Sequence, residues 1–302
     1  MDQPPGSPQG PRDQGPQGAQ SLPSCYRHPD RETAIRCTRC ERPICPECMV
    51  SASVGFQCPD CVRSGSGTGH SPAASQPRTL AGGTVTADPR LVTKILIGLN
   101  LALFLVQQAV GDTFTDHFDL FGRAWLSGHL QGVAEGQWYR MLTSMFLHGS
   151  YIHILFNMLS LWWIGGPLEA ALGRARYLAL YFVSGLAGSA LSYLLAAPNQ
   201  PSLGASGAIF GLFGATAILM RRLNYDMRPV IALLAINLLF TFGPGFNIAW
   251  QAHIGGLIGG VIVGYAMVHA PRERRTLIQY GVCALVLAAV VVTTLVRTAQ
   301  LT

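Results

Sequence analysis

The chain has 302 residues, a formal net charge of +6 and only 12% charged residues, with a mean hydropathy of +0.32. So few charges on so apolar a chain point to a membrane protein rather than an ordinary soluble domain. The positive balance alone would suit a nucleic-acid binder, but the arginines lie in the polar N-terminal part and in short loops between apolar runs. That is how membrane proteins fix their orientation, so no nucleic-acid partner is expected.

Residues 1–22 are rich in Pro, Gly and Gln and contain no apolar stretch. They are expected to form a disordered tail without a cleavable secretory signal. Residues 23–63 carry four ligand pairs: Cys25-x-x-His28, Cys37-x-x-Cys40, Cys45-x-x-Cys48 and Cys58-x-x-Cys61. Eight ligands in such pairs fit two tetrahedral zinc sites, whereas seven cysteines and one histidine are the wrong arithmetic for disulfides. With every position filled by protein the two Zn²⁺ would be structural, and so short a segment would draw its folding energy from them. Spacing alone leaves the pairing open. The order and compactness resemble a B-box-like cross-brace, which implies that the first and third pairs share one metal and the second and fourth the other. Residues 64–88, rich in Ser, Gly, Ala and Pro, read as a flexible tether.

From residue 91 onward apolar runs predict seven spans, at 91–110, 149–166, 176–197, 206–220, 229–243, 249–268 and 276–296. The fourth and fifth are too short for a ~30 Å hydrocarbon core, so the chain should enter there below the membrane surface, through a buried or wet loop. Arg78, Arg90, Lys94, Arg174, Arg176, Arg221, Arg222, Arg228, Arg272, Arg274 and Arg275 all fall on one side of this topology. That side is expected to be cytoplasmic, with the N-terminus inside and the C-terminus outside. Reducing cytoplasm again disfavours disulfides in the head. Cys283, alone in the seventh span, reads as a packing residue.

Polar residues inside spans are costly and suggest function. His153 and Asn157 lie four apart on one face of the second span, Ser206 opens the fourth, and His253 lies near the start of the sixth. These three spans run in the same direction, so all four side chains should lie at one depth, toward the outer face. Each alone could be interhelical glue; their shared depth argues for a site. A serine hydroxyl needs a base within hydrogen-bond reach, and histidine suits that role near neutral pH. No Asp or Glu falls within the seven predicted spans, which leaves a Ser206–His253 dyad. His153, Asn157 and the Ser206 backbone N–H would then serve the oxyanion. Gly204 and Gly207 flank the serine, and Gly255/Gly259 and Gly256/Gly260 make small-residue faces that let helices approach closely.

At this point the sequence resembles the rhomboid intramembrane serine proteases. The resemblance is carried by His148…His153-x-x-x-Asn157, by Gly204-Ala205-Ser206-Gly207…Gly211, by Ala252-His253-x-Gly255-Gly256, and by Tyr139-Arg140 where the family usually shows Trp-Arg. It covers about residues 90–270 and implies Ser206 as nucleophile, His253 as base and His153 and Asn157 as oxyanion donors. His148 matches a histidine at a water-filled entrance. Phe210 stands where some members carry a tyrosine stacked on the catalytic histidine. The implied fold is an all-α polytopic membrane protein, with a six-helix core at 89–270 and a seventh transmembrane helix in 271–302 (6+1). The small zinc domain precedes it.

The expected function is hydrolysis of peptide bonds in or near transmembrane segments of membrane proteins, without a catalytic cofactor. The expected setting is the plasma membrane, with lipid around the bundle and a cytoplasmic protein partner for the zinc head. One rival is a non-catalytic rhomboid-like factor that binds or routes membrane proteins, but such proteins typically lack the serine or the histidine. An unrelated seven-span transporter or receptor is the other, and would place its polar residues near mid-membrane.

Overall fold

The computed structural model describes residues 22–52, 54–64, 78–242 and 249–302. The expected tail (1–22, apart from Leu22), most of the tether and the uncharged loop 244–248 lie outside them. The chain divides into two units, 1–76 and 77–302.

The first unit is a small knuckle. It comprises a two-stranded antiparallel sheet, β1 (Val50–Ser51) and β2 (Phe56–Gln57), and one short helix, α1 (Pro59–Arg63). Its core consists of six of its cysteines with Ile44, far too little apolar surface to fold a domain by itself.

The second unit is helical: α2 (Leu91–Val110), α3 (Asp112–Phe118), the hairpin β3 (Ala124–Leu126) and β4 (His129–Gln131), α4 (Arg140–Thr143), α5 (Tyr151–Leu172), α6 (Arg174–Leu195), α7 (Ser206–Arg222), α8 (Arg228–Phe242), α9 (Trp250–His269) and α10 (Arg275–Leu301). A helix thus stands at each of the seven predicted spans. By length and composition, four stretches among the described residues suffice to cross a membrane: Leu91–Val110, Arg174–Leu195, Trp250–His269 and Arg272–Leu301. The 17 residues of α7 reach only ~26 Å at 1.5 Å per residue.

α9 packs against both α6 and α7, and α10 lies against α6 and α9. Glycine permits this closeness. A Cβ on Gly256 would collide with the Gly207 carbonyl, one on Gly260 with Gly211, and one on Gly264 with Ala215 at 2.6 Å. These contacts recur every fourth residue on both helices, so α7 and α9 touch backbone to backbone. The neighbouring ridge of α9, Gly255 and Gly259, meets Ala187 and Gly188 of α6 in the same way. Large apolar side chains such as Leu155, Trp163, Leu239 and Leu285 face outward, as a bundle solvated by hydrocarbon allows.

Two expectations need correction. The second span does not stop at 166. α5 continues through Pro167 to Leu172 and so includes Glu169, an acidic residue inside a bundle helix. Its buried carboxylate accepts hydrogen bonds from Val92 N (3.0 Å), Thr93 N (2.9 Å) and Thr93 Oγ1 (2.9 Å). It caps the N-terminus of α2, whose first N–H groups have no intrahelical acceptor. It lies 16 residues, ~24 Å, along α5 from His153, at the far end from Ser206. The tether, for its part, is not loose throughout. Thr79 and Gly83 close a turn, Ala81 N donates to Ala171 O (3.1 Å), and Gln279 Nε2 donates to Ala81 O (3.1 Å). The small residues there let the chain approach the end of α5 closely enough to reach Ala171 O, and a Cβ on Gly83 would sit 2.6 Å from Leu172 O.

The segment between α2 and α5 is organised by Arg140, which is fully buried. Its guanidinium donates to Gln137 Oε1 (2.7 Å), Asp116 O (2.8 Å), Asp119 O (2.9 Å) and Asp119 Oδ1 (3.2 Å), and lies over the Phe121 ring. Burial pushes the Asp119 carboxyl up to about 7, against the pull of the Arg140 charge. Arg140→Ala should destabilise the protein by about 3–5 kcal/mol, because it strands a buried carboxylate and several carbonyls. Arg140→Lys should recover only part, lacking the planar fork. Thermal unfolding of the purified variants in detergent checks both.

Candidate active site

Ser206, His253, His153 and Asn157 come from three helices that begin at the same end of the bundle. Ser206 is the first residue of α7, His253 lies in the first turn of α9, and His153 and Asn157 lie in the first two turns of α5. The glycine contacts between α7 and α9 bring two of these side chains into bonding distance: His253 Nε2 lies 2.7 Å from Ser206 Oγ. Both are buried. The Phe210 ring, one turn along α7 from the serine, stacks on the imidazole at 4.2 Å with planes 9° apart.

The chain before Ser206 is held from two sides. Leu120 and Ser202 exchange both backbone hydrogen bonds (3.0 and 2.7 Å), and Gly204 N donates to Ser144 O (2.9 Å). Gly204 has φ +132°, and a Cβ there would lie 2.8 Å from His153 Cε1 and 3.5 Å from Ser206 Oγ. This backbone is therefore pressed against the site, where only glycine fits without strain.

His153 is oriented by the start of its own helix. Ser150 caps α5 by accepting from His153 N (3.2 Å), and His153 Nδ1 accepts from Gly149 N (3.4 Å). Asn157 Nδ2 is buried with no hydrogen-bond partner, as are both ring nitrogens of His148. The His148 ring packs edge-on to His153 at 5.1 Å, and Gln107 of α2 holds its backbone N–H (2.9 Å). Three buried polar nitrogens without hydrogen-bond partners would be costly in a merely structural cluster. Beside Ser206 opens a narrow cavity of ≈ 20 Å³, walled by Met145, Gly185, Ser189, Gly204 and Ala208, with room for about one water.

One contact was missed from the sequence. Thr241 Oγ1 of α8 lies 2.8 Å from His253 Nδ1. A signal existed: Asn237 and Thr241, the two polar side chains within the fifth span, are four apart and share a helix face.

In the N-terminal unit the ligand pairs interleave. Cys25, His28, Cys45 and Cys48 form one group and Cys37, Cys40, Cys58 and Cys61 the other, with the donor atoms of each group within 4.8 Å of one another. Either group could hold a metal ion.

Residues 135–270 match the Rhomboid domain family. The chain belongs to the rhomboid family and is a rhomboid-type serine protease, an integral membrane protein. Among its relatives is a Bacillus subtilis (strain 168) protein named "Putative rhomboid protease YdcA", 36% identical over 164 residues, 53% of this chain and 81% of the relative. Rhomboid protease GluP of the same organism is 37% identical over 181 residues, 58% of this chain but 34% of the relative. Rhomboid protease AarA of Providencia stuartii is 29% identical over 237 residues, 68% of this chain and 81% of the relative. The chain thus spans most of YdcA and AarA and about a third of GluP.

Proposed function

We propose that Ser206 and His253 form a catalytic dyad that cleaves transmembrane protein substrates through an acyl-enzyme. The observation that carries this reading is the 2.7 Å contact between Ser206 Oγ and His253 Nε2, within hydrogen-bond reach for proton transfer. Ser206 Oγ attacks the scissile carbonyl carbon while its proton passes to Nε2. The oxyanion is received by the Ser206 N–H at the start of α7, by Asn157 Nδ2 and by His153. The C–N bond then breaks, Nε2 returns its proton to the leaving amine, and the acyl group remains as an ester on Ser206. A water, entering past His148, gives its proton to Nε2 and attacks the ester; the acid leaves and Ser206 regains its hydrogen. The small residues around the 20 Å³ cavity favour a small side chain at the cleavage point. Incubating the purified protein and its Ser206→Ala variant with a transmembrane substrate tests the reading.

The arginine distribution supports a cytoplasmic N-terminus, a C-terminus outside and a site toward the outer face of the plasma membrane. On this reading residues 89–270 are the catalytic core and 271–302 carry the appended helix. Residues 23–63 form a structural domain around two Zn²⁺, which docks a cytoplasmic protein or positions the enzyme. The donor geometry fits: tetrahedral zinc with bonds of ~2.3 Å to sulfur and ~2.0 Å to nitrogen sets S···S edges near ~3.8 Å and N···S edges near ~3.6 Å. Cys40 Sγ and Cys58 Sγ are 3.7 Å apart, and His28 Nδ1 lies 3.2–3.9 Å from Cys45, Cys48 and Cys25. Backbone N–H groups of Cys58 and Cys61 point at the Cys37 and Cys58 sulfurs, as around zinc thiolates. Deleting residues 1–75 should leave kcat on a minimal transmembrane substrate within about twofold, since that segment supplies neither the dyad nor its oxyanion donors. A folded deletion variant that no longer hydrolyses that substrate would overturn the separation of roles.

A further inference from the structure

We infer that Thr241 is a positioning residue that fixes the tautomer of His253, taking the place a carboxylate holds in a catalytic triad. The inference rests on the dyad reading and on a count of hydrogens. Thr241 Oγ1 lies 2.7 Å from Asn237 O and 2.8 Å from His253 Nδ1. Each contact is too short for two bare acceptors, so each needs a hydrogen between its atoms. A carbonyl has none, so the single hydroxyl hydrogen of Thr241 points at Asn237 O, four residues back in α8. The hydroxyl lone pair is then what faces the imidazole, and the hydrogen in that contact belongs to Nδ1. With Nδ1 protonated, neutral His253 presents a bare Nε2 to Ser206 Oγ at 2.7 Å, which is the tautomer a general base requires.

The surroundings support this role. Thr241 and His253 are both buried, so solvent cannot easily exchange for the bond. Phe210 covers one face of the ring, Ser206 occupies one edge and Thr241 the other. The imidazole is thereby held in rotation as well as in protonation. The hydroxyl carries no charge. It can keep accepting from Nδ1 when Nε2 takes up the serine proton, without the ionic stabilisation an aspartate would add. The site therefore performs the orienting function of a third member without burying a carboxylate among apolar helices, where its cost would be high.

The test uses the full-length protein in detergent, with Thr241→Val, Thr241→Ser and Ser206→Ala compared on one transmembrane substrate. Thr241→Val should lower kcat about ten- to hundredfold, the scale of a lost buried hydrogen bond, with KM within about twofold. Thr241→Ser should restore most of the loss. Nitrogen-15 spectra of histidine-labelled wild-type protein, with the His253 signals identified by their loss in His253→Ala, should show hydrogen on Nδ1. Thr241→Val should show a mixture of tautomers. Unchanged kcat in Thr241→Val, no rescue by serine, or a wild-type His253 protonated on Nε2 would each overturn the assignment. The wild-type spectrum decides even if a variant does not fold. Full cleavage by Ser206→Ala would instead sink the dyad reading itself.

Discussion

Ser206→Ala and His253→Ala are each expected to reduce cleavage of a transmembrane substrate by roughly 10⁶-fold, to background. Neither loss should come from unfolding. The Ser206 hydroxyl bonds His253, and α7 is held on α9 by glycine contacts that neither substitution touches. The double variant should be no slower than either single one, because a nucleophile without its base and a base without its nucleophile are equally idle. A fluorophosphonate probe separates the two roles. It should label the wild-type protein on Ser206 and leave His253→Ala unlabelled, since the hydroxyl attacks phosphorus only if a neighbour takes its proton. A non-catalytic binding factor predicts neither result. Retained cleavage in Ser206→Ala, with matched unfolding temperatures, would require another nucleophile.

Gly204→Ala should lower kcat by about a hundredfold or more while leaving the bundle folded. The added methyl would lie 2.8 Å from His153 Cε1, 2.9 Å from His153 Nε2 and 3.5 Å from Ser206 Oγ. On the proposed mechanism a substrate carbonyl would share that space with Ser206 Oγ and His153, and misplacement by ~1 Å there costs on the order of 10² in rate. Part of the effect could be backbone strain, because Gly204 has φ +132°. Gly136→Ala serves as the control: its φ is +84°, and a Cβ there meets nothing within 4 Å. If both variants lose similar activity, strain in the loops is responsible; if only Gly204→Ala does, the steric account stands. Equal unfolding temperatures for the two make the comparison clean.

The pattern of apolar runs and arginines was enough to place seven helices and to put Ser206, His253, His153 and Asn157 at one end of the bundle. Hydrophobicity and helix period are local properties, and in a membrane they leave little other choice of fold. The glycines at 207, 211, 256 and 260 likewise announced close helix packing, since a missing side chain is visible in the sequence itself. Which ridges meet is another matter. That Gly256 and Gly260 face α7 while Gly255 and Gly259 face α6 depends on the rotation of α9 about its axis, set by all three helices together. For the same reason Thr241 was an ordinary helix residue until α8 brought its hydroxyl to His253 Nδ1. Glu169 looked like a loop residue until α5 ran on through Pro167 to the start of α2. Composition and periodicity decide what each segment is. Only packing decides which atoms of different segments come within 3 Å, because that distance is fixed by side chains remote in the chain and by the few backbone contacts glycine allows.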